Sequence, residues 1–143
     1  WRNFFMKKCL CIAGIIFIMM YSIVYAGEYQ EYLNEDKNYP LCTAHMGHAQ
    51  YVNLNTVDVV YYHPPQYIIS ADIISVDSDK DNRIDWVRNV NFKYDYHTKK
   101  MYSSTDKSKK WDFIPHNGAY YQSSWQKAGE ILFHHVYKIS FYD

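Results

Sequence analysis

The chain is expected to fold as an α+β domain: a small antiparallel sheet, laid out as a meander, with one C-terminal amphipathic helix packed on a face. Three observations predict it. Residues Arg83 to Tyr96 alternate apolar and polar side chains, which is the period of a strand. Further short β-rich runs follow and precede this segment, separated by turn residues. Trp125, Ala128, Leu132, Val136 and Ile139 then recur at spacings of three and four, the single apolar stripe of a helix. Strands first and a helix last is the α+β order.

Taken in order, Gly27 to Asn38 is polar, with Tyr29, Tyr32 and Leu33 as its apolar points. It is expected to form a short helix or a loose arm that Pro40 ends. Tyr51 to Thr56 alternates and reads as a strand. His63-Pro64-Pro65 breaks the chain, because proline cannot donate to a ladder. Tyr67 to Asp77 is rich in β-branched residues and reads as the next strand. In Arg83 to Tyr96 one face carries Ile84, Trp86, Val90, Phe92, Tyr94 and Tyr96, interrupted by Arg88. That face is expected to pack on the core. Met101 to Thr105 and Trp111 to Ile114 are short strands around the solvated run Asp106 to Lys110.

The N-terminal part has the order of a secretory leader. Met6, then Lys7 and Lys8, then the apolar run Leu10 to Val24, then small residues ending at Ala26, are expected to form a signal peptide over residues 6–26. Residues 1–5 precede that methionine and are expected to be a non-native or upstream prefix. Residues 27–143 are then a single exported domain, periplasmic or at the cell surface. The apolar run is shorter than the roughly 20 residues of a spanning helix, so no stable membrane anchor is expected after cleavage. Cys9 and Cys11 stand at the start of that run, whereas a lipid-modified cysteine stands after it.

Cleavage changes the charge. The whole chain has 15 Lys and Arg against 15 Asp and Glu. The leader removes Arg2, Lys7 and Lys8 and no acidic residue, leaving a formal charge of −3. That argues against a nucleic-acid partner, which needs a basic face. Cys42 alone remains of the cysteines, so no internal disulfide can form. The domain must stand on its core. Tyrosine dominates the aromatics, and its large ring with a polar tip suits half-buried sheet faces and contact surfaces alike.

The most specific local pattern is Asp77-Ser78-Asp79-Lys80-Asp81-Asn82-Arg83-Ile84-Asp85. Alternate carboxylates resemble the start of a calcium loop. Asp77, Asp79, Asp81 and Asp85 would supply side-chain oxygens, and Arg83 its backbone carbonyl. The sixth position is Asn82 where an EF-hand has glycine, and the twelfth is Arg88 where it has a bidentate glutamate. The nearer match is the short aspartate loop that closes some calcium-binding β-hairpins. The competing expectation is a solvated turn, for which these are ordinary residues. Cys42, His45 and His48 have the spacing of metal ligands, with His134 and His135 as a remote source of a fourth. No nucleophile elbow, zinc-protease motif or phosphate loop is present in the sequence.

The run Tyr51 to Val57, the Pro-Pro-x-Tyr-Ile-Ile segment from Pro64 to Ile69, the long aromatic strand, and Trp111 ahead of a closing helix with Phe141 and Tyr142 resemble a known group. The chain looks like small uncharacterised exported proteins of Gram-negative Firmicutes, themselves distantly similar to the surface-adhesin protein E family. That resemblance implies a small sheet with a packed helix, displayed at the envelope. It also implies an adhesin-like role, since a better-known member of that family binds host matrix proteins. The function expected is therefore a non-enzymatic envelope module that binds an unknown protein or envelope ligand. The alternatives are a calcium-stabilised structural module and a small secreted enzyme or enzyme inhibitor.

Overall fold

The computed structural model describes residues 29–105, 110–118 and 120–142. The expected leader, and Asp106 to Lys109 of the solvated run, lie outside the described residues. Six strands form one antiparallel sheet in chain order. They are β1 (Leu41–His45), β2 (His48–His63), β3 (Gln66–Asp77), β4 (Arg83–Asp95), β5 (Lys100–Thr105) and β6 (Asp112–Ile114). The helix α1 (Tyr120–Tyr137) follows. The α+β expectation holds in this form, with one adjustment: the sheet is curled into a half-barrel rather than lying as a simple meander. Register shifts interrupt the β1–β2, β2–β3 and β3–β4 ladders, and such bulges bend strands and increase their twist. The curl lets α1 touch β1, β2, β3, β5 and β6 together.

The turns follow from residue chemistry. Met46 and Gly47 join β1 to β2 with φ of 49° and 80°, the primed turn whose twist matches paired strands. A Cβ at Gly47 would run into the Asp79 carboxylate. Pro64 and Pro65 join β2 to β3, and His63 and Gln66 pair directly on either side. Asp81 and Asn82 close the β3–β4 hairpin with φ of 51° and 56°, a region those two residue types tolerate better than most.

Alternation along β3 separates two cores. Ile69, Ala71 and Ile73 face α1, together with Val90, Phe92 and Tyr94 of β4. Ala128, Leu132 and Phe133 of α1 and Phe141 beyond it complete that core. Phe133 is its hub, with ring centroids 4.9 Å from Tyr94, 5.5 Å from Tyr67 and 5.1 Å from Phe141. Gly129 lets the helix come close: the Tyr94 hydroxyl donates to its carbonyl at 2.8 Å. On the opposite face, Ala49, Tyr51, Ile74 and Val76 are covered by Leu33 and its neighbours. The segment expected to be an arm or short helix is thus a 3-10 turn, Leu33–Glu35, pinned by a buried leucine.

Two sequence expectations change. Ile84 was expected to pack on the core, yet it is 57% exposed. The β3–β4 register passes from Trp86 to Ile84 without Asp85, so the bulge carries Ile84 to the opposite face. Ile139 is exposed as well, because the helix ends before it. Lys138 adopts φ of 60° and its N–H returns to the His134 carbonyl at 2.8 Å, a left-handed helix terminus. That reversal delivers Phe141 to the core. Arg88, which interrupts the apolar face of β4, lays its guanidinium 4.5 Å from the Trp86 ring.

Candidate binding face

The sheet face away from α1 is covered only in part by described residues. Beyond Leu33 and its neighbours it runs open across β2 to β6, and its side chains stand in rows fixed by the register. One row is Tyr61, Ile68, Lys93, Tyr102 and Phe113, each the direct partner of the next. Five adjacent strands make it about 19 Å wide. Its ends are exposed, Tyr61 at 45% and Phe113 at 52%, and its centre is half-buried.

Lys93 sits at the middle. Its Nζ is 4.7 Å from the Tyr102 ring centroid and 4.8 Å from that of Trp111. Cations over aromatic faces are attracted by the ring quadrupole, so this ammonium is steered rather than free to sweep. Tyr102 and Phe113 rings lie 5.5 Å apart. The flanking row is His63, Gln66, Asp95 and Lys100. There Gln66 Nε2 donates to Asp95 Oδ2 at 3.0 Å. The Thr98 N–H, 3.0 Å from the other Asp95 oxygen, holds that carboxyl below the usual carboxylate range against its partial burial. Gln66, Lys93, Asp95 and Tyr102 line a depression of about 210 Å³. The row beyond, Ser70 and Asn89 to Asp72, is polar: Ser70 Oγ donates to Asn89 Oδ1 and Asn89 Nδ2 to Asp72 Oδ1. An aromatic row with a steered cation, bordered by hydrogen-bonding groups, can hold a partner by ring contact and by a charge-assisted bond at its centre.

The aspartate loop lies at the far end of the sheet. Asp77 ends β3, and its Oδ1 accepts the Asp79 N–H at 3.2 Å, starting the 3-10 turn Ser78–Lys80. Its other oxygen meets Lys80 Nζ at 3.2 Å and Arg83 Nη2 at 3.6 Å. Burial pushes this carboxyl up, but Lys80, the Asp79 N–H and His48 together bring it below its ordinary value. Asp85 meets Arg83 at 3.7 Å and His48 Nδ1 at 3.0 Å. Arg83 thus contributes its guanidinium to the loop and pairs with Asp77 across the ladder. Asp79 is exposed and leans on Gly47, and Asp81 is exposed at the left-handed turn. Among the described residues, no group of three His, Cys, Asp or Glu is arranged to hold a metal ion.

Cys42 and the two histidines are separated. Cys42 is buried on the helix side, where its Sγ donates to the Gln50 carbonyl at 3.1 Å and burial pushes its thiol up to about 12. His45 and His48 face each other across the β1–β2 turn, and His48 turns to Asp85. Cys42 and His45 lie on β1, and His48 begins β2. A second depression, of about 250 Å³, is lined by Lys127, Glu130, His134 and Tyr142 among others. His116 stacks on Tyr142 at 3.9 Å, and the buried Tyr142 hydroxyl is pushed up to about 12, first by burial and then by Glu130.

Comparison with known proteins finds no matching family, no matching characterised protein and no matching solved structure. The aromatic row escapes sequence reading because it joins one residue from each of five strands. The one local signal was Lys93 on the polar face of the aromatic strand, at a position where Asn and Asp neighbours suggest only water.

Proposed function

We propose that this chain is a non-enzymatic, exported module of the bacterial envelope, periplasmic or surface-displayed, that binds a protein partner through the open sheet face. The observation that carries the reading is Lys93, placed between Tyr102 and Trp111 in a row that ends in exposed Phe113 and Tyr61. Aromatic rings give large contact area with few rotatable bonds, and interfaces are enriched in them. Most of the opposite face is covered by α1, whose Ala128, Leu132 and Phe133 pack against it. The leader pattern and the resemblance to adhesin-type exported proteins support the envelope location and a matrix-protein partner.

The test is binding of the purified chain to a panel of immobilised extracellular-matrix proteins. Tyr102→Ala and Phe113→Ala should each weaken capture by about tenfold or more, as expected of aromatic interface anchors. Lys127→Ala, on the helix, should leave it unchanged. Binding that ignores both open-face substitutions, or no binding to any protein of the panel, would sink the proposal. Mass analysis of the exported form should give a chain beginning at Gly27.

A further inference from the structure

The two outer edges of the sheet are treated differently. β6 is three residues long and carries the Lys110–Asp112 ion pair at its start. Short, charged edges discourage pairing with other chains. The other edge is formed by β1 and, where β1 ends, by the second half of β2. β1 pairs with β2 only between His48 and Tyr51, and the Val52 and Leu54 N–H groups are taken by the Pro40 and Asn38 carbonyls. From Asp58 to His63, β3 is the only strand beside β2 among the described residues. This six-residue stretch is exposed throughout. Its centre, Val59-Val60-Tyr61-Tyr62, holds no charge and no proline, and Val60 and Tyr62 are 54% and 63% exposed.

We propose that this edge pairs with the same edge of a second copy of the chain, antiparallel about a twofold axis between Val60 and Tyr61. The sequence is complementary to itself in that register. Asp58 falls opposite the partner copy's His63, Val59 opposite Tyr62, and Val60 opposite Tyr61. An aspartate facing a histidine can be joined by a side-chain hydrogen bond, and β-branched–aromatic pairs are favourable across antiparallel strands. The faces also agree. Asp58 and His63 pair with Ser70 and Gln66, which share one face of β3, while Val59 and Tyr62 pair with Ile69 and Tyr67 on the other. The twofold therefore joins like face to like face, and the bulge at Val60 meets its own copy at the axis. An isologous contact of this kind closes as a dimer. The edge is about 20 Å long, which makes a small interface. The expected dissociation constant is on the order of 10 µM.

Sedimentation equilibrium of the purified chain tests this, over about 1 to 500 µM so as to bracket that constant. The mass should rise from monomer to dimer. Val60→Lys, at an exposed position, should leave the circular dichroism unchanged and hold the chain monomeric. Asp58→Lys alone and His63→Asp alone should each weaken association by up to about 25-fold, the product of two symmetry-related pairs, and the double exchange should restore it. A chain that stays monomeric at the top of the range overturns the proposal. So does a dimer that survives Val60→Lys, or a double exchange no tighter than its single parents.

Discussion

Replacing Phe133 by alanine should be among the most damaging single changes available to this fold. The ring is fully buried, 1% exposed, and meets five other rings. Tyr94 and Tyr137 lie at 4.9 Å, Phe141 at 5.1 Å, Tyr67 at 5.5 Å and Tyr96 at 5.7 Å. A buried Phe→Ala change costs about 3–5 kcal/mol, combining lost transfer energy with the cavity left behind. Ring pairs add about 0.5–1.5 kcal/mol each beyond burial, so the upper end, about 4–5 kcal/mol, is expected. A domain of this size has about 5–15 kcal/mol in total. With a urea m-value near 1.5 kcal/mol/M, the midpoint followed by tryptophan fluorescence should fall by about 3 M. Tyr62→Ala, at an exposed site on the same helix-facing side, should cost no more than about 1 kcal/mol. A loss at Phe133 below about 2 kcal/mol would refute the placement of α1, because the ring would then have room the packing denies it.

Other changes probe the rest of the account. Gly129→Ala sets a helix-propensity gain of about 1 kcal/mol against a Cβ that would press on the Met101 thioether and lie 3.1 Å from Phe92. Overpacking costs about 1–3 kcal/mol, so a net loss near 1 kcal/mol is expected in the same urea assay, and a stabilised variant would deny the close approach of helix and sheet. Asp77 and Asp95 both have carboxyl groups held below their ordinary range. Their contribution is complete above the unfolded value of about 3.9 and is lost as pH falls through the lower folded values. Melting temperature should therefore drop steeply below about pH 4, and Asp95→Asn should flatten part of that slope. A slope unchanged in that variant would mean the Thr98 bond is not formed in solution. Calcium at the Asp77–Asp85 loop would have to displace Lys80 and Arg83 from the carboxylates they neutralise. The melting midpoint in millimolar calcium is thus expected within about 1 °C of that in chelator. A larger rise, abolished by Asp79→Ala, would make the loop a calcium site.

What the sequence disclosed was what local pattern can encode. The second half of β4 alternates as expected, with Val90, Phe92 and Tyr94 buried. The helix stripe found Ala128 and Leu132. It missed Phe133, because a packed helix buries a wider face than one line of residues at threes and fours. It also missed Phe141, which reaches the core only through the left-handed Lys138. β1 was not among the expected strands, since Thr43, Ala44 and His45 carry little strand signal of their own and are strand because they pair with β2. Ile84 changed faces at a bulge that no periodicity announces. The tyrosines divide as their chemistry allows: Tyr51 and Tyr94 are fully buried, while Tyr61 and Tyr62 are exposed. The Lys93 row belongs to register, which the linear pattern constrains only one strand at a time.

The central claim is that the open face, not the helix side, meets the partner. A photo-crosslinking phenylalanine analogue placed at Phe113, and separately at Lys127, in cells exporting the chain tests it most directly. A discrete adduct is expected from position 113 that Lys93→Ala diminishes, and none from position 127. Adducts from position 127 alone would contradict it.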